Sequence, residues 1–225
     1  MESSVSGVGV LDKAMVVLDA VTVEPLGLAA LCEATDLPRA TAYRLAVALE
    51  SHGLVRRLDD GRFTLGLRLI GLGRAATASF PLATLARPIL DRLRDDTGES
   101  VQLYVVEGDA RRCVISLQSP HGLRWIVPEG VLLPMERGSA GRALAGDVTK
   151  AGWSESVEER ERGVCSVSAP IVEFSVEHAE RIIAAVSVSG PVERLSRTPG
   201  RNVGKAVVSA ALQLQEDIED AIRAS

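Results

Sequence analysis

The sequence contains few aromatic residues, few cysteines and no long apolar run. Only 3% of its 225 residues are aromatic, so its cores must be built mainly from Val, Leu, Ile and Ala. Cys32, Cys113 and Cys165 are odd in number and far apart, which argues against a disulfide framework and favours a reducing, cytoplasmic setting. No apolar run approaches the ~20 residues of a membrane helix. No basic segment precedes an apolar stretch at the N-terminus, so no signal peptide is predicted.

Catalytic motifs and metal-ligand spacings are missing as well. The chain has no Gly-x-Ser-x-Gly elbow, P-loop or HExxH sequence. His52, His121 and His178 have no cysteine or carboxylate at metal-ligand spacing, so we interpret them as surface residues. Residues 71–76 superficially match a dinucleotide-binding fingerprint but lack the strand–helix–strand context that it needs. The sequence therefore predicts neither an enzyme nor a cofactor or metal site.

The clearest positive signal is the stretch 38–52, PRATAYRLAVALESH. Its apolar residues recur at helical spacing, with Pro38 suited to the first helical position and Gly53 to the residue after the end. The polar residues of its first turns are Arg39, Thr41, Tyr43 and Arg44. An apolar back with a basic, hydroxyl-bearing N-terminal end suits a helix in a DNA major groove. An ordinary amphipathic surface helix is the alternative for this segment alone.

The flanking chain favours the DNA-binding interpretation. Helical patterns cover residues 10–21 and 26–34, and a tight turn leads into the third helix, as in a helix-turn-helix. Residues 54–58 and 62–65 then predict a β-hairpin turning at Asp60-Gly61, which would be a wing. Three arginines on this wing, Arg56, Arg57 and Arg62, would meet backbone phosphates. We therefore predict a winged helix-turn-helix domain over residues 1–65.

Charge is concentrated in the same region. The chain as a whole carries a net charge of −5, yet residues 39–74 hold seven arginines against three acidic residues. This is a weaker positive field than many DNA-binding domains have. Tight binding would therefore need a dimer or strong specific contacts.

The remaining chain predicts a linker helix over 66–80 and an α+β domain over 81–225. Helical patterns cover 82–93 and 203–222, with strands at 101–106, 113–117, 125–127, 165–172 and 181–189 and an exposed stretch at 147–163. The two last strands are joined by a turn around 173–180. Strands hairpinned together between helices indicate one antiparallel sheet covered by helices.

A ligand-site pattern occurs in this second domain. Gly138, Ser139 and Ala140 would leave free backbone N–H groups at a helix N-terminus, where an anion could bind. Ser187 and Ser189 share one face of a strand, as do Ser166 and Ser168 on its neighbour. These hydroxyls could line a small polar pocket. The alternative is that the serines lie on the solvent face of the sheet.

Four motifs together resemble the IclR family of bacterial transcription regulators. They are PRATAYRLAVALESHGLV, GRFTLGLRLIGLG, GSAGRALAG, and GVCSVSAPI followed by AAVSVSGPVERL. The resemblance runs from about Val8 to the C-terminus, and its nearest subgroup is that of short actinobacterial regulators of leucine and other amino-acid biosynthesis. It implies a DNA-binding domain, a linker helix and a GAF-like effector domain in a dimer or dimer of dimers, commonly a repressor controlled by a carboxylate metabolite or amino acid. The effector residues that it implies are Met135, Gly138, Ser139, Ala140, Ser166, Ser187 and Ser189.

Two departures from the family pattern bear on the effector. Many members have a cysteine where this chain has Ser166, with Cys165 before it. The chain is also short between Ala145 and Trp153, which leads us to expect a shallower or more open site. Two alternatives to a metabolite-responsive regulator remain. An enzyme would need a nucleophile or an acid–base pair in the second domain. A regulator whose second domain serves only oligomerisation would have Ser187 and Ser189 facing solvent.

Overall fold

The computed structural model describes residues 8–78, 81–174 and 180–223, and it divides into two compact units. The first unit covers residues 1–79 and the second covers 80–225. His178 and the middle of the predicted turn around 173–180 lie outside the described residues. The predicted fold class, α+β with an N-terminal winged helix-turn-helix and a C-terminal antiparallel sheet with helices, is confirmed.

The first unit consists of three helices, a short hairpin and a fourth helix. These elements are α1 Gly9–Val23, α2 Leu28–Thr35, α3 Arg39–Ser51, β1 Val55–Arg57, β2 Phe63–Leu65 and α4 Arg68–Ala78. The small core contains Val17, Leu31, Ala46, Val55 and Phe63, each almost fully buried. Since α4 lies at 68–78, it falls within the segment expected to be the linker.

The ends of α3 show how the chain turns into the recognition helix and out of it. Asp36 ends α2 in the left-handed region, with a φ of 52°, which produces the tight turn between α2 and α3. Pro38 precedes the helix rather than starting it, because its ψ of 139° is extended and only its carbonyl joins the first turn. This corrects its predicted position. Gly53 has a φ of 71° just after the helix, as predicted.

The second unit is one six-stranded antiparallel sheet with helices on both faces. Its elements are α5 Pro81–Thr97, β3 Ser100–Glu107, β4 Ala110–Leu117, β5 Leu132–Pro134, α6 Ser139–Leu144, β6 Ser154–Val157, β7 Val164–Phe174, β8 Glu180–Pro191, α7 Val192–Leu195 and α8 Pro199–Arg223. The strand order is β5-β4-β3-β8-β7-β6. Helices α5 and α8 form the main core with one face of the sheet. The short helix α6 packs on the opposite face, beside Tyr104, Cys113 and Ala185.

Two sequence-based predictions for this unit were wrong. Residues 125–127 form no strand. At the edge of β4, the Cys113 N–H donates to the Val131 carbonyl and the Cys113 carbonyl accepts from the Gly130 N–H, so neither backbone group is available to residues 125–127. The neighbouring strand is β5. The stretch 147–163 is not wholly exposed, since it contains β6, where Ser154 and Ser156 are buried and β7 supplies the strand partner.

Candidate DNA-binding surface and effector cavity

The N-terminal half of α3 presents most of the predicted DNA-reading residues to solvent. Ala42 and Ala46 face the core, which leaves Arg39, Tyr43 and Arg44 exposed. Thr41 is half-buried. The Arg44 guanidinium donates from Nε to the carbonyl of Ala40 at 3.3 Å, so its outer nitrogens remain available. This end of the helix can therefore present donors to base edges and phosphates.

The three wing arginines differ in what they contact. The Arg57 guanidinium stacks 4.7 Å from the Phe63 ring centre and 5.7 Å from that of Tyr43. It also lies 3.8 Å from the carboxylate of Glu50. Arg57 is thus drawn toward α3, which sequence reasoning did not foresee.

Arg62 and Arg56 complete the wing. Arg62 forms an ion pair with Asp60 at 2.7 Å across the turn of the hairpin. Arg56 is exposed, and within 8–78, 81–174 and 180–223 neither it nor Arg39 forms an ion pair. Of the predicted phosphate contacts on the wing, Arg56 is the one with a free charge.

The predicted serines converge on one buried network. Ser139 at the start of α6 lies with its Oγ 2.6 Å from that of Ser166 and 2.7 Å from that of Ser168. Ser168 donates to Ser187 at 2.9 Å. Ser187 and Ser189 are only 3% and 4% exposed, so the expectation that they face solvent is wrong.

Ser189 is outside this hydrogen-bond network and pairs instead with Gln102 of β3. Ser189 donates to the Gln102 side-chain oxygen at 2.8 Å. Gln102 is 0% exposed, and its amide nitrogen has no hydrogen-bond partner in the described part of the chain. A buried amide donor without an acceptor is costly, which marks this position as a place for a ligand oxygen.

These residues surround a cavity of about 20 Å³. Six of the seven predicted effector residues line it, and the exception is Met135, which is half-buried against other apolar side chains. Further lining residues that sequence reasoning missed include Gln102, Tyr104, Arg111, Trp125 and Arg160. The volume suits about one water molecule. The cavity is therefore small, whereas the sequence led us to expect a shallower or more open site.

The start of α6 is less available to an anion than predicted. Gly138 precedes the helix with a φ of 85°, and its N–H donates to the Glu159 carboxylate at 3.0 Å. Arg142 binds both oxygens of the same carboxylate at 2.8 and 2.9 Å. The hydrogen bond from Arg142 holds the pKa of Glu159 below its ordinary value, so the carboxylate stays charged. The predicted free N–H of Gly138 is therefore occupied.

Arg111 is the most unusual lining residue. It is 1% exposed on β4, where its guanidinium donates to the carbonyls of Pro134 and Arg137 and lies 5.5 Å from the Tyr104 ring centre. Burial lowers the pKa of Arg111, and the charge of Arg160 lowers it further. Burial likewise raises the pKa of Tyr104, so this phenol stays neutral. One sequence signal could have identified Arg111. It stands two residues before Cys113 on a strand, so it lies on the same inward-facing side of that strand.

Metal sites and membrane-spanning helices have requirements that the described residues do not meet. No group of three or more His, Cys, Asp or Glu side chains there could hold a metal ion. No helix among the described residues is long and apolar enough to span a membrane.

Comparison with protein-family models then decides the family. The IclR helix-turn-helix domain matches residues 10–59, and the bacterial transcriptional regulator IclR C-terminal domain matches residues 74–150 and 145–216. The chain belongs to the IclR family. This IclR-family protein is accordingly a DNA-binding transcription regulator and not an enzyme, and such regulators are often repressors.

Individual relatives agree with this assignment. The chain is 25% identical to the transcriptional repressor IclR of Escherichia coli (strain K12), over 84% of this chain and 81% of that protein. The IclR structure from Thermotoga maritima matches with a TM-score of 0.73 at 20% identity, covering 93% and 98% of the two chains. An IclR homologue from Microbacterium hydrocarbonoxydans, solved in complex with 4-hydroxybenzoate, matches with a TM-score of 0.74 at 21% identity, covering 96% and 100%.

Proposed function

We propose that this protein is a dimeric repressor of amino-acid biosynthesis genes, of the leucine type, that acts in the cytoplasm under the control of a small carboxylate metabolite or amino acid. The observation that carries effector control is the buried cavity where Ser139, Ser187 and Gln102 meet, with one amide donor left without an acceptor. Buried polar groups in proteins almost always have partners, so an incomplete set around a cavity supports a ligand there.

The DNA-binding role is proposed for the N-terminal end of α3 and for the wing. Arg39, Thr41, Tyr43 and Arg44 contact the major groove and the adjacent phosphates. Arg56 contacts the DNA backbone, and Arg57 and Arg62 can join it only by leaving their present partners. These contacts position the domain, while α3 reads the sequence.

Dimerisation is supported by the apolar surface of the first unit. Leu11, Met15 and Val16 of α1 are between 43% and 52% exposed, and Leu67 and Ile70 near the start of α4 are 70% and 58% exposed. A contiguous patch of exposed apolar side chains is typical of a surface that a partner covers, and we propose that these residues form such a patch. Two copies, or a dimer of dimers, would also double the number of arginines that face the DNA.

The regulated genes can be identified by mapping the binding sites of the protein across its genome. The amino-acid assignment rests on the resemblance to the short actinobacterial regulators. We expect the strongest sites upstream of amino-acid biosynthesis genes, with expression rising in a deletion strain. Strong sites confined to genes of other pathways would overturn this assignment.

The effector class can be tested by calorimetry with branched-chain keto acids, branched-chain amino acids and 4-hydroxybenzoate. The last is the carboxylate bound in the Microbacterium homologue and serves as a structural probe. Binding of one compound should change the affinity for DNA, because a ligand that prefers one arrangement of the dimer shifts its population.

A ligand-independent regulator is the second candidate. The observation in its favour is the cavity volume of about 20 Å³, which is too small for an organic acid without rearrangement. It predicts no heat with any compound and DNA binding that none of them changes. Its other expectation, that Ser187 and Ser189 face solvent, does not hold.

A further inference from the structure

Two arginines line the effector cavity against a single acidic lining residue in the described parts of the chain. Arg111 comes from β4 and Arg160 from the segment between β6 and β7. No ion pair is formed by either residue in the described parts of the chain, although eleven ion pairs occur there. The one acidic lining residue in those parts, Glu161, is exposed. The cavity therefore carries an excess of positive charge.

This excess of positive charge is energetically unfavourable unless an anion balances it. Arg111 is 1% exposed, and its hydrogen bonds go to two backbone carbonyls, which satisfy donors but do not neutralise the charge. Its Nε has no partner in the described residues. A buried cation is normally paired with an anion. Arg160 adds a second positive charge to the same surroundings.

Several neutral groups around the two arginines can also donate hydrogen bonds to an anion. The Gln102 amide nitrogen has no acceptor in the described residues, and the serine hydroxyls of Ser139 and Ser187 can rotate to donate. Anionic oxygens accept several such bonds at once, and charge-assisted bonds to guanidinium groups are the strongest of them.

We propose that Arg111 and Arg160 together bind the anionic head group of the effector, a carboxylate or phosphate, with the Gln102 amide as a further donor. This inference rests on the proposed function, since the occupant is taken to be the effector. It narrows that proposal: a free amino acid would place its ammonium group beside two guanidinium groups, so a keto acid or other purely anionic compound is preferred.

The size of the cavity assigns different roles to the two arginines. Arg111 is held between β4, Pro134 and Arg137, so it is a fixed part of the wall. Arg160 is only half-buried and lies on a segment beside Gly138, where its Cδ would be 3.1 Å from a Cβ added to that glycine. Admission of a head group larger than one water therefore requires Arg160 to move outward and then close on the anion.

The test measures anion binding by the full-length protein and by matched variants. Thermal shift and calorimetry would use four probes: inorganic phosphate, 4-methyl-2-oxopentanoate, its neutral amide and L-leucine. The variants are Arg160→Gln and Arg111→Gln, with Arg162→Gln as the control, because Arg162 is an exposed neighbour that does not line the cavity. Circular dichroism verifies the fold of each, and Arg160→Gln, which changes a half-buried side chain rather than a fully buried one, remains informative if Arg111→Gln unfolds.

We expect at least one of the two anions to bind the wild type and Arg162→Gln, with little or no binding of the amide and L-leucine. The dissociation constant should rise about tenfold or more in Arg160→Gln, since one charge-assisted contact is lost. Binding of phosphate alone would identify a phosphate ester as the source of the head group, and binding of the keto acid alone a carboxylate. Equal anion binding by Arg160→Gln, tighter binding of L-leucine than of the keto acid, or no anion binding by the wild type would overturn the inference. Anion binding that leaves the affinity for DNA unchanged would instead overturn effector control and leave the anion site intact.

Discussion

The nearest neighbours of an arginine in the DNA-binding unit determine whether its guanidinium group is free to contact DNA. Arg57 lies against Phe63, Tyr43 and Glu50, and Arg62 is held by Asp60. Arg44 is attached to its own helix only through Nε. A guanidinium with free outer nitrogens can donate two hydrogen bonds to the O6 and N7 atoms of one guanine, which is the most common specific contact in the major groove.

Replacement of Arg44 by alanine should therefore weaken and broaden DNA recognition. We expect a loss of roughly 1–3 kcal/mol on the preferred site and a smaller loss on sites altered at one base pair. Gel shifts on the mapped operator and on its single-base variants measure both effects. Arg56→Ala is the matched control, since a phosphate contact should weaken binding about equally on all sequences. Normal operator binding by Arg44→Ala would contradict the assignment of α3 as the reading helix.

The three cysteines should differ in reactivity. Burial raises the pKa of Cys113 to about 12 and that of Cys165 to about 11, so neither forms an appreciable amount of thiolate near neutral pH. Cys32 is half-buried in the first unit. A thiol-reactive chromophore should modify one cysteine of the native protein quickly and all three in urea.

The variant Cys32→Ser is the control for that experiment and should lose the fast phase while keeping the two slow thiols. A fast phase that persists in Cys32→Ser would show that Cys113 or Cys165 opens to solvent in the native state.

At the scale of elements, the helices show how local context reverses an ordinary rule. Alanine usually stabilises a helix relative to glycine by about 1 kcal/mol. Gly204 of α8 lies under Trp153, and a Cβ there would be 2.8 Å from the nearest ring carbon. At Gly71 of α4, no described atom outside the helix's own nearby backbone lies within 4 Å of such a Cβ.

Gly204→Ala should therefore destabilise the second unit by about 1–3 kcal/mol, because overpacking outweighs the gain in helix propensity. Gly71→Ala should stabilise α4 by up to about 1 kcal/mol. Urea unfolding monitored by circular dichroism compares the two, and tryptophan fluorescence reports on the second unit, which contains both tryptophans. If both substitutions stabilised the protein, the Trp153 ring would be able to move away from the new methyl group without a loss of folding stability.

Elements with a strong periodic pattern were predictable, and elements defined by distant partners were not. The apolar face of α8 and the alternating serines of β7 and β8 are visible in the sequence. Strand β6 has a polar composition and is a strand because its backbone pairs with β7, while Asp147 and Ser166 satisfy the hydroxyls of its buried serines. The inward direction of Arg111 likewise depends on carbonyls of Pro134 and Arg137, 23 and 26 residues away. No local pattern contains those partners.

At the scale of the whole molecule, an acidic protein has to bind a polyanion. The net charge is −5, and the favourable field comes from a small set of arginines near α3 and the wing. Binding of each phosphate releases counterions from DNA, so the number of engaged arginines can be read from the dependence of affinity on salt. This measurement also tests the proposed dimer, because two copies engage twice as many phosphates.

The structure leads us to expect a moderate salt dependence. If Arg39 and Arg56 of two protomers engage phosphates while Arg44 contacts a base, about four phosphate contacts form and the slope of log K against log salt is roughly −4. If Arg57 and Arg62 also left their partners, about eight phosphate contacts would give a slope of roughly −7. Arg56→Gln should reduce the slope by about two in a dimer, whereas Arg57→Gln should leave it unchanged. A steep slope that Arg57→Gln makes shallower would show that DNA draws Arg57 away from Phe63 and Tyr43. A slope of roughly −2 would fit a single bound protomer rather than a dimer.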